Sequence, residues 1–107
     1  MYKRQLINDA KCLADAGAHM LVLEMVPSAL AKKVTDAIDV PTIGIGAGID
    51  CDGQVLVIYD LLGLNSSFKP KFVKSYAELE QPVVDAMKAY CDEVKSRTFP
   101  DLSLIHI

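Results

Sequence analysis

Residues 20–26, Met20-Leu21-Val22-Leu23-Glu24-Met25-Val26, form a run that is apolar at every position but one and lies between two stretches of helical spacing. Such a run is too short for a helix and comes after a glycine that stops one, so it reads as a β-strand buried on both faces. Before it, Leu6, Ile7, Ala10, Leu13 and Ala14 draw one apolar stripe along a helix over residues 3–16, ended by Gly17. After it, Pro27-Ser28 opens a second helix with Leu30, Val34, Ala37 and Ile38 on one side, and Asp39-Val40-Pro41 closes it. Thr42-Ile43-Gly44-Ile45-Gly46 reads as a short strand, Asp50 to Gly53 as a turn, and Val55-Leu56-Val57-Ile58-Tyr59 as a third strand of high β propensity. Asn65-Ser66-Ser67 is loop. Pro70 starts a short helix with Phe72, Val73, Tyr76 and Leu79 on its apolar side. The last helix runs from Pro82 to near Thr98-Phe99-Pro100, with Val83, Val84, Met87, Tyr90, Cys91 and Val94 on one stripe.

The order is α-β-α-β-β-α-α. Strands that alternate with amphipathic helices build βαβ units and a parallel sheet, so the fold class is α/β. A closed (β/α)8 barrel takes roughly 250 residues. With 107 residues and three strand signals, the chain is expected to be a fragment of such a domain. Its formal net charge of −3 provides no basic face, which argues against nucleic acid or an anionic membrane as a partner. No apolar run approaches the ~18 residues of a spanning helix, and Met1-Tyr2-Lys3-Arg4-Gln5 does not lead into a signal core. Cys12, Cys51 and Cys91, odd in number and unrelated in spacing, read as free thiols of a reducing compartment, with the cytoplasm as default.

Glu24 is the most informative residue. Side chains alternate along a strand, so Met20, Val22 and Glu24 share one face and Leu21, Leu23 and Met25 the other. If the first face lines a barrel interior, Glu24 points inward near the rim where such barrels place their working groups. Partial desolvation there suits a general base near neutral pH. Position alone leaves a second reading open, a strand-end glutamate that is paired with a base or turned to solvent.

Gly44-Ile45-Gly46-Ala47-Gly48 comes after a strand, as a phosphate-binding loop would. However, the sixth position of a G-x-G-x-x-G pattern is Ile49, and the loop leads into a turn and a strand rather than a helix. Close backbone packing at a tight strand exit is the preferred reading of these glycines. Asp50-Cys51-Asp52-Gly53 lacks the further acids of a calcium loop and reads as a turn. His19 and His106 have no partners at metal-ligand spacing and receive no role. Ser28 is read as a helix-starting residue rather than a nucleophile. Tyr59-Asp60, ending a strand at the same rim, has a site role and a cap on the following turn as its two readings, with the cap preferred.

Three blocks carry a resemblance: Leu21-Val22-Leu23-Glu24-Met25-Val26-Pro27, Pro41-Thr42-Ile43-Gly44-Ile45-Gly46-Ala47-Gly48, and Cys51 through Leu64, continued by Phe68-Lys69-Pro70-Lys71-Phe72-Val73-Lys74. With these, residues from about 4 to Pro100 resemble the ketopantoate (3-methyl-2-oxobutanoate) hydroxymethyltransferase family. The resemblance implies a (β/α)8 TIM barrel of the phosphoenolpyruvate/pyruvate superfamily, of which residues 1–100 would be about the last three strands with their helices. It also implies transfer of a one-carbon unit from 5,10-methylenetetrahydrofolate to 3-methyl-2-oxobutanoate, with Mg2+, in pantothenate biosynthesis, by a homo-oligomer. The family's base maps onto Glu24, and the apolar residues around the substrate's branched tail map onto Ile45, Val55 and Val57. Each of these three has plain barrel core as its alternative reading. The family's metal-binding aspartates, a site lysine and a supporting glutamate come from earlier strands, so no metal ligand is assigned in this chain. Residues 101–107 form an atypical tail.

Two other functions fit parts of the sequence: a phosphate-binding barrel enzyme using Gly44–Gly48, and a non-catalytic assembly module whose unpaired sheet edges invite association. For the fragment, exposed apolar patches are expected around Val22, Ile43, Ile45, Val55 and Val57.

Overall fold

The computed structural model describes residues 2–104, so His106 and the end of the expected tail lie outside the described residues. The elements are α1 (Tyr2–Asp15), β1 (Leu21–Glu24), α2 (Ser28–Ala37), β2 (Thr42–Ile45), β3 (Gly53–Gln54), α3 (Ile58–Leu61) and α4 (Glu80–Ser96). The chain divides into two compact units. One takes in the chain up to Val57 together with Pro70–Val73. The other takes in Ile58–Lys69 and the chain from Lys74 onward.

The first unit is a three-stranded parallel sheet in the order β1-β2-β3, with α1 and α2 supplying its helical layer. β1 and β2 pair in the register Leu21↔Thr42, Val22↔Ile43, Leu23↔Gly44 and Glu24↔Ile45, and β2 and β3 as Ile43↔Gly53 and Gly44↔Gln54. The core lies on the Leu23 side. Leu23 and Val26 pack there with Ala10 of α1, with Leu30, Ala31 and Val34 of α2, and with Ala47. Leu6, Ile7, Leu21, Ile38 and Cys51 pack around them. Of the stripes that helical spacing predicts, Leu6, Ile7 and Ala10 of α1, Leu30 and Val34 of α2 and the following Ile38 pack here, and Ala31 joins them. Leu13, expected on the α1 stripe, is 53% exposed because it lies in the last turn of α1, beyond the core. Gly17 ends α1 as expected, at φ +104° with its N–H on the Ala14 carbonyl.

The opposite face of the sheet is open. Val22 is 61% exposed, Met20 and Glu24 are exposed too, and Ile43 and Ile45 are half-buried. The alternation inferred from sequence therefore holds through Glu24. It breaks one residue later: Met25, expected beside Leu23, is 65% exposed, and Val26 takes the core position instead. The cause is a left-handed backbone at Met25, φ 56°, which swaps the faces of the two residues.

Two expected elements are displaced. The strand expected over 55–59 is instead the short β3 at Gly53–Gln54, and Ile58–Tyr59 open the helical turn α3. The Val55 N–H still donates to the Gly44 carbonyl at 3.0 Å. β2 itself ends at Ile45, however, so later residues have no ladder to join, and β propensity without a partner strand does not hold a strand. The helix expected from Pro70 is also absent. Val73 bonds back to Pro70 in a single turn. In the second unit, Tyr76 and Leu79 donate their N–H groups to the carbonyls of Leu61 and Leu62. Backbone groups tied to another segment cannot form a helix of their own.

α4 starts at Glu80, two residues before Pro82, which its first turn tolerates. It ends at Arg97, which is left-handed and donates its N–H to Val94. Its apolar stripe is exposed along its length, including Val83, Val84, Met87, Tyr90 and Val94, while Tyr90 meets Phe99 edge-on at 5.3 Å. Among the described residues, no helix is long and apolar enough to cross a membrane.

Candidate functional site

The candidate site residues Glu24 and Ile45 lie at the C-terminal ends of β1 and β2, where the strand geometry sets what each side chain can do. Glu24 is the last residue of β1, on the face opposite the core and level with Ile45. Paired residues of a parallel ladder share a face, so the candidate base and one candidate substrate contact are lateral neighbours. Glu24 is exposed within this chain, so the expected desolvation does not come from the described residues. Val55 comes just after the end of β3 and joins the ladder only through its N–H. Val57 lies beyond the ladder. The strand alternation that placed Val55 and Val57 on one face stops at Gln54, and both are exposed, 46% and 47%. The structure thus brings Glu24 and Ile45 together directly, reaches Val55 through one backbone bond, and leaves Val57 outside the strand.

The glycines at the β2 exit have close neighbours. A Cβ on Gly44 would lie 2.9 Å from the Cys51 sulfur, one on Gly46 3.0 Å from the Phe72 ring, and one on Gly48 2.5 Å from Ser28 Cβ at the start of α2. Gly46 and Gly48 also have positive φ, 66° and 82°. Packing of side chains onto bare backbone accounts for them, as expected of a tight strand exit. Phe72 comes from Pro70–Val73, where buried Val73 holds the segment down at the strand exit.

A polar network that sequence reasoning missed braces the opposite end of β2. Asp52 accepts the Thr42 N–H at 2.8 Å and returns its own N–H to Thr42 Oγ1 at 3.2 Å. Thr42 Oγ1 also meets Thr35 Oγ1 at 2.7 Å, and Thr35 donates to the Ala31 carbonyl of its own helix. Thr42 is wholly buried, so each of these partners replaces water it cannot reach. Asp50–Gly53 is therefore a turn tied to the strand start, as its composition suggests, and its second aspartate is the tie. The Asp-Cys-Asp-Gly turn after a Thr-initiated strand was the visible signal, but the partner ten residues away was not. Among the described residues, no three or more His, Cys, Asp or Glu side chains gather where they could hold a metal ion.

Met25 is the other feature the sequence hid. A side-chain-bearing residue in the left-handed region costs roughly 1–2 kcal/mol, and this one sits directly after Glu24.

Comparison with known proteins bears on the same stretch. The family model described as Ketopantoate hydroxymethyltransferase matches residues 2–102. The chain belongs to this family. A 3-methyl-2-oxobutanoate hydroxymethyltransferase of Paracoccus denitrificans is 62% identical over 92 residues, covering 86% of this chain and 33% of that protein. Its counterpart from Carboxydothermus hydrogenoformans is 54% identical over 98 residues, covering 92% and 36%, and that from Prosthecochloris aestuarii 56% over 96 residues, covering 90% and 35%. The chain therefore spans about a third of the length of these ketopantoate hydroxymethyltransferase relatives. The match takes in β1, β2 and the Glu24–Ile45 pair.

Proposed function

We propose that this chain is about the last three strands of a (β/α)8 barrel and supplies the base of a hydroxymethyltransferase. The enzyme moves a one-carbon unit from 5,10-methylenetetrahydrofolate to 3-methyl-2-oxobutanoate, giving ketopantoate. The observation that carries the reading is Glu24, the last residue of a parallel strand, on an exposed face and level with Ile45. Three parallel strands in sequence order, with helices on one face and apolar residues bare on the other, support a barrel whose interior is the bare face.

In this reading the Glu24 carboxylate accepts the proton from C3 of the keto acid. The C–H bond breaks, an O–H bond forms on Glu24, and C3, now the nucleophilic carbon of an enolate, forms a C–C bond to the folate-borne methylene carbon. That carbon's two C–N bonds break, and water supplies the oxygen of the new hydroxymethyl group. Tetrahydrofolate leaves with the proton from C3 on one nitrogen and a proton from the water on the other. Ile45 lies against the branched tail of the substrate, and Val55 and Val57 beyond it add apolar surface for that tail. The Mg2+ that the family resemblance implies finds no cluster of three or more His, Cys, Asp or Glu ligands among the described residues. The three free cysteines fit a reducing, cytoplasmic setting, and a homo-oligomer is the expected assembly.

The test is exchange of the C3 proton of 3-methyl-2-oxobutanoate in deuterated water, in a full-length family enzyme carrying this segment. Glu24→Gln should slow exchange by about 10²–10⁴-fold while fold and metal affinity persist. Undiminished exchange refutes the assignment. The 107-residue chain alone should give no product from both substrates with Mg2+, and measurable turnover would overturn that expectation.

A further inference from the structure

The two strand ends beside the candidate base turn in the same way with different residues. Glu24 and Ile45 are register partners, and the residues directly after them, Met25 and Gly46, have φ of 56° and 66°. At Gly46 the Phe72 ring occupies the space of a side chain. At Met25 a full side chain is carried in a conformation that glycine adopts freely, and that side chain is exposed, so its own packing does not hold it there. The backbone holds it. Its N–H donates to the Ile45 carbonyl at 2.9 Å, the last rung between the strands, and the next residue, Val26, is buried in the core just before α2 begins. Had the strand continued, Val26 would have shared the open face with Val22 and Glu24. The left-handed residue turns Val26 inward and leaves Glu24 as the last side chain on the open face.

We propose that Met25 is a positioning residue for Glu24: its left-handed backbone, rather than its thioether, ends the strand at the carboxylate and sets the direction from which Glu24 meets the reacting carbon. The proposal rests on the reading of Glu24 as the base. Glu24→Gln in the same enzyme tests that reading separately, since it fails or stands whatever Met25 does.

The experiment compares Met25→Gly with Met25→Val in a full-length family enzyme carrying this segment, reading kcat and KM for the keto acid together with melting temperature. Glycine adopts the left-handed turn and valine resists it. M25G should hold kcat within about twofold and melt at or above the parent. M25V should lower kcat by about 100-fold, the scale of an ångström's misplacement of a reacting group, with KM changed less than about threefold. A parent-like kcat in M25V overturns the proposal, because the turn then does not govern the carboxylate. An M25G that loses as much kcat as M25V also overturns it, because the side chain then carries the effect. Should M25V not fold, Met25→Thr, smaller and also β-branched, takes its place under the same criteria. If neither folds while M25G does, Met25 serves folding alone and the positioning role is refuted.

Discussion

The Thr35–Thr42–Asp52 network permits a double-mutant cycle whose outcome is set by the number of hydroxyl hydrogens. Thr35 has one, and it goes to the Ala31 carbonyl at 2.9 Å. Thr42 is then the donor across the 2.7 Å contact with Thr35, and its lone pairs face the Asp52 N–H. Thr42→Val keeps the volume of a wholly buried side chain and opens no cavity, so the cost is polar alone. It removes the bond to Thr35 and the acceptor for Asp52. Because Thr35 is only partly buried and Asp52 is exposed, water recovers part of the loss, leaving about 1–2 kcal/mol. Thr35→Val leaves the Thr42 hydroxyl its second contact with Asp52 at 3.3 Å and should cost about 0.5–1 kcal/mol. The bond between the two threonines can be lost only once. The double variant should therefore fall short of the sum of the single effects by about 1 kcal/mol. The assay is urea unfolding monitored by circular dichroism, at protein concentrations where the midpoint does not move on dilution, with unchanged slope as the sign that only stability has changed. Additivity within about 0.3 kcal/mol would refute the shared bond.

The packing sets two further outcomes. Gly48→Ala puts a Cβ 2.5 Å from Ser28 Cβ at φ +82° and should destabilise the first unit by about 2–4 kcal/mol, combining left-handed strain with overpacking; an unchanged unfolding midpoint would contradict the close approach. The open sheet face around Met20 and Val22 and the bare stripe of α4 should make the isolated chain self-associate with rising concentration in sedimentation experiments, and a monodisperse monomer that melts cooperatively would count against it.

Local periodicity was legible in the residues alone. The spacing of Leu6, Ala10, Leu30 and Val34 marks the buried faces of α1 and α2, because a helix repeats every few residues whatever surrounds it. Strict alternation put Glu24 opposite Leu23, and the glycine string marked the places where side chains press on bare backbone. How far each strand runs was settled instead by the assembled fold. Residues 55–59 have the composition of a strand, yet β2 offers no ladder beyond Ile45, and a strand extends only as far as its partner. The segment after Pro70 has helical spacing, yet Tyr76 and Leu79 give their N–H groups to carbonyls at the end of α3. The turn at Met25 was likewise beyond the reach of pattern. No residue type there announces a positive φ, and it arises because Val26 must enter the core while Met25 still holds the last rung to Ile45. Periodicity is a property of a short stretch of backbone. The length of a ladder, the partner of a buried hydroxyl and the hand of a strand exit are properties of what that stretch meets.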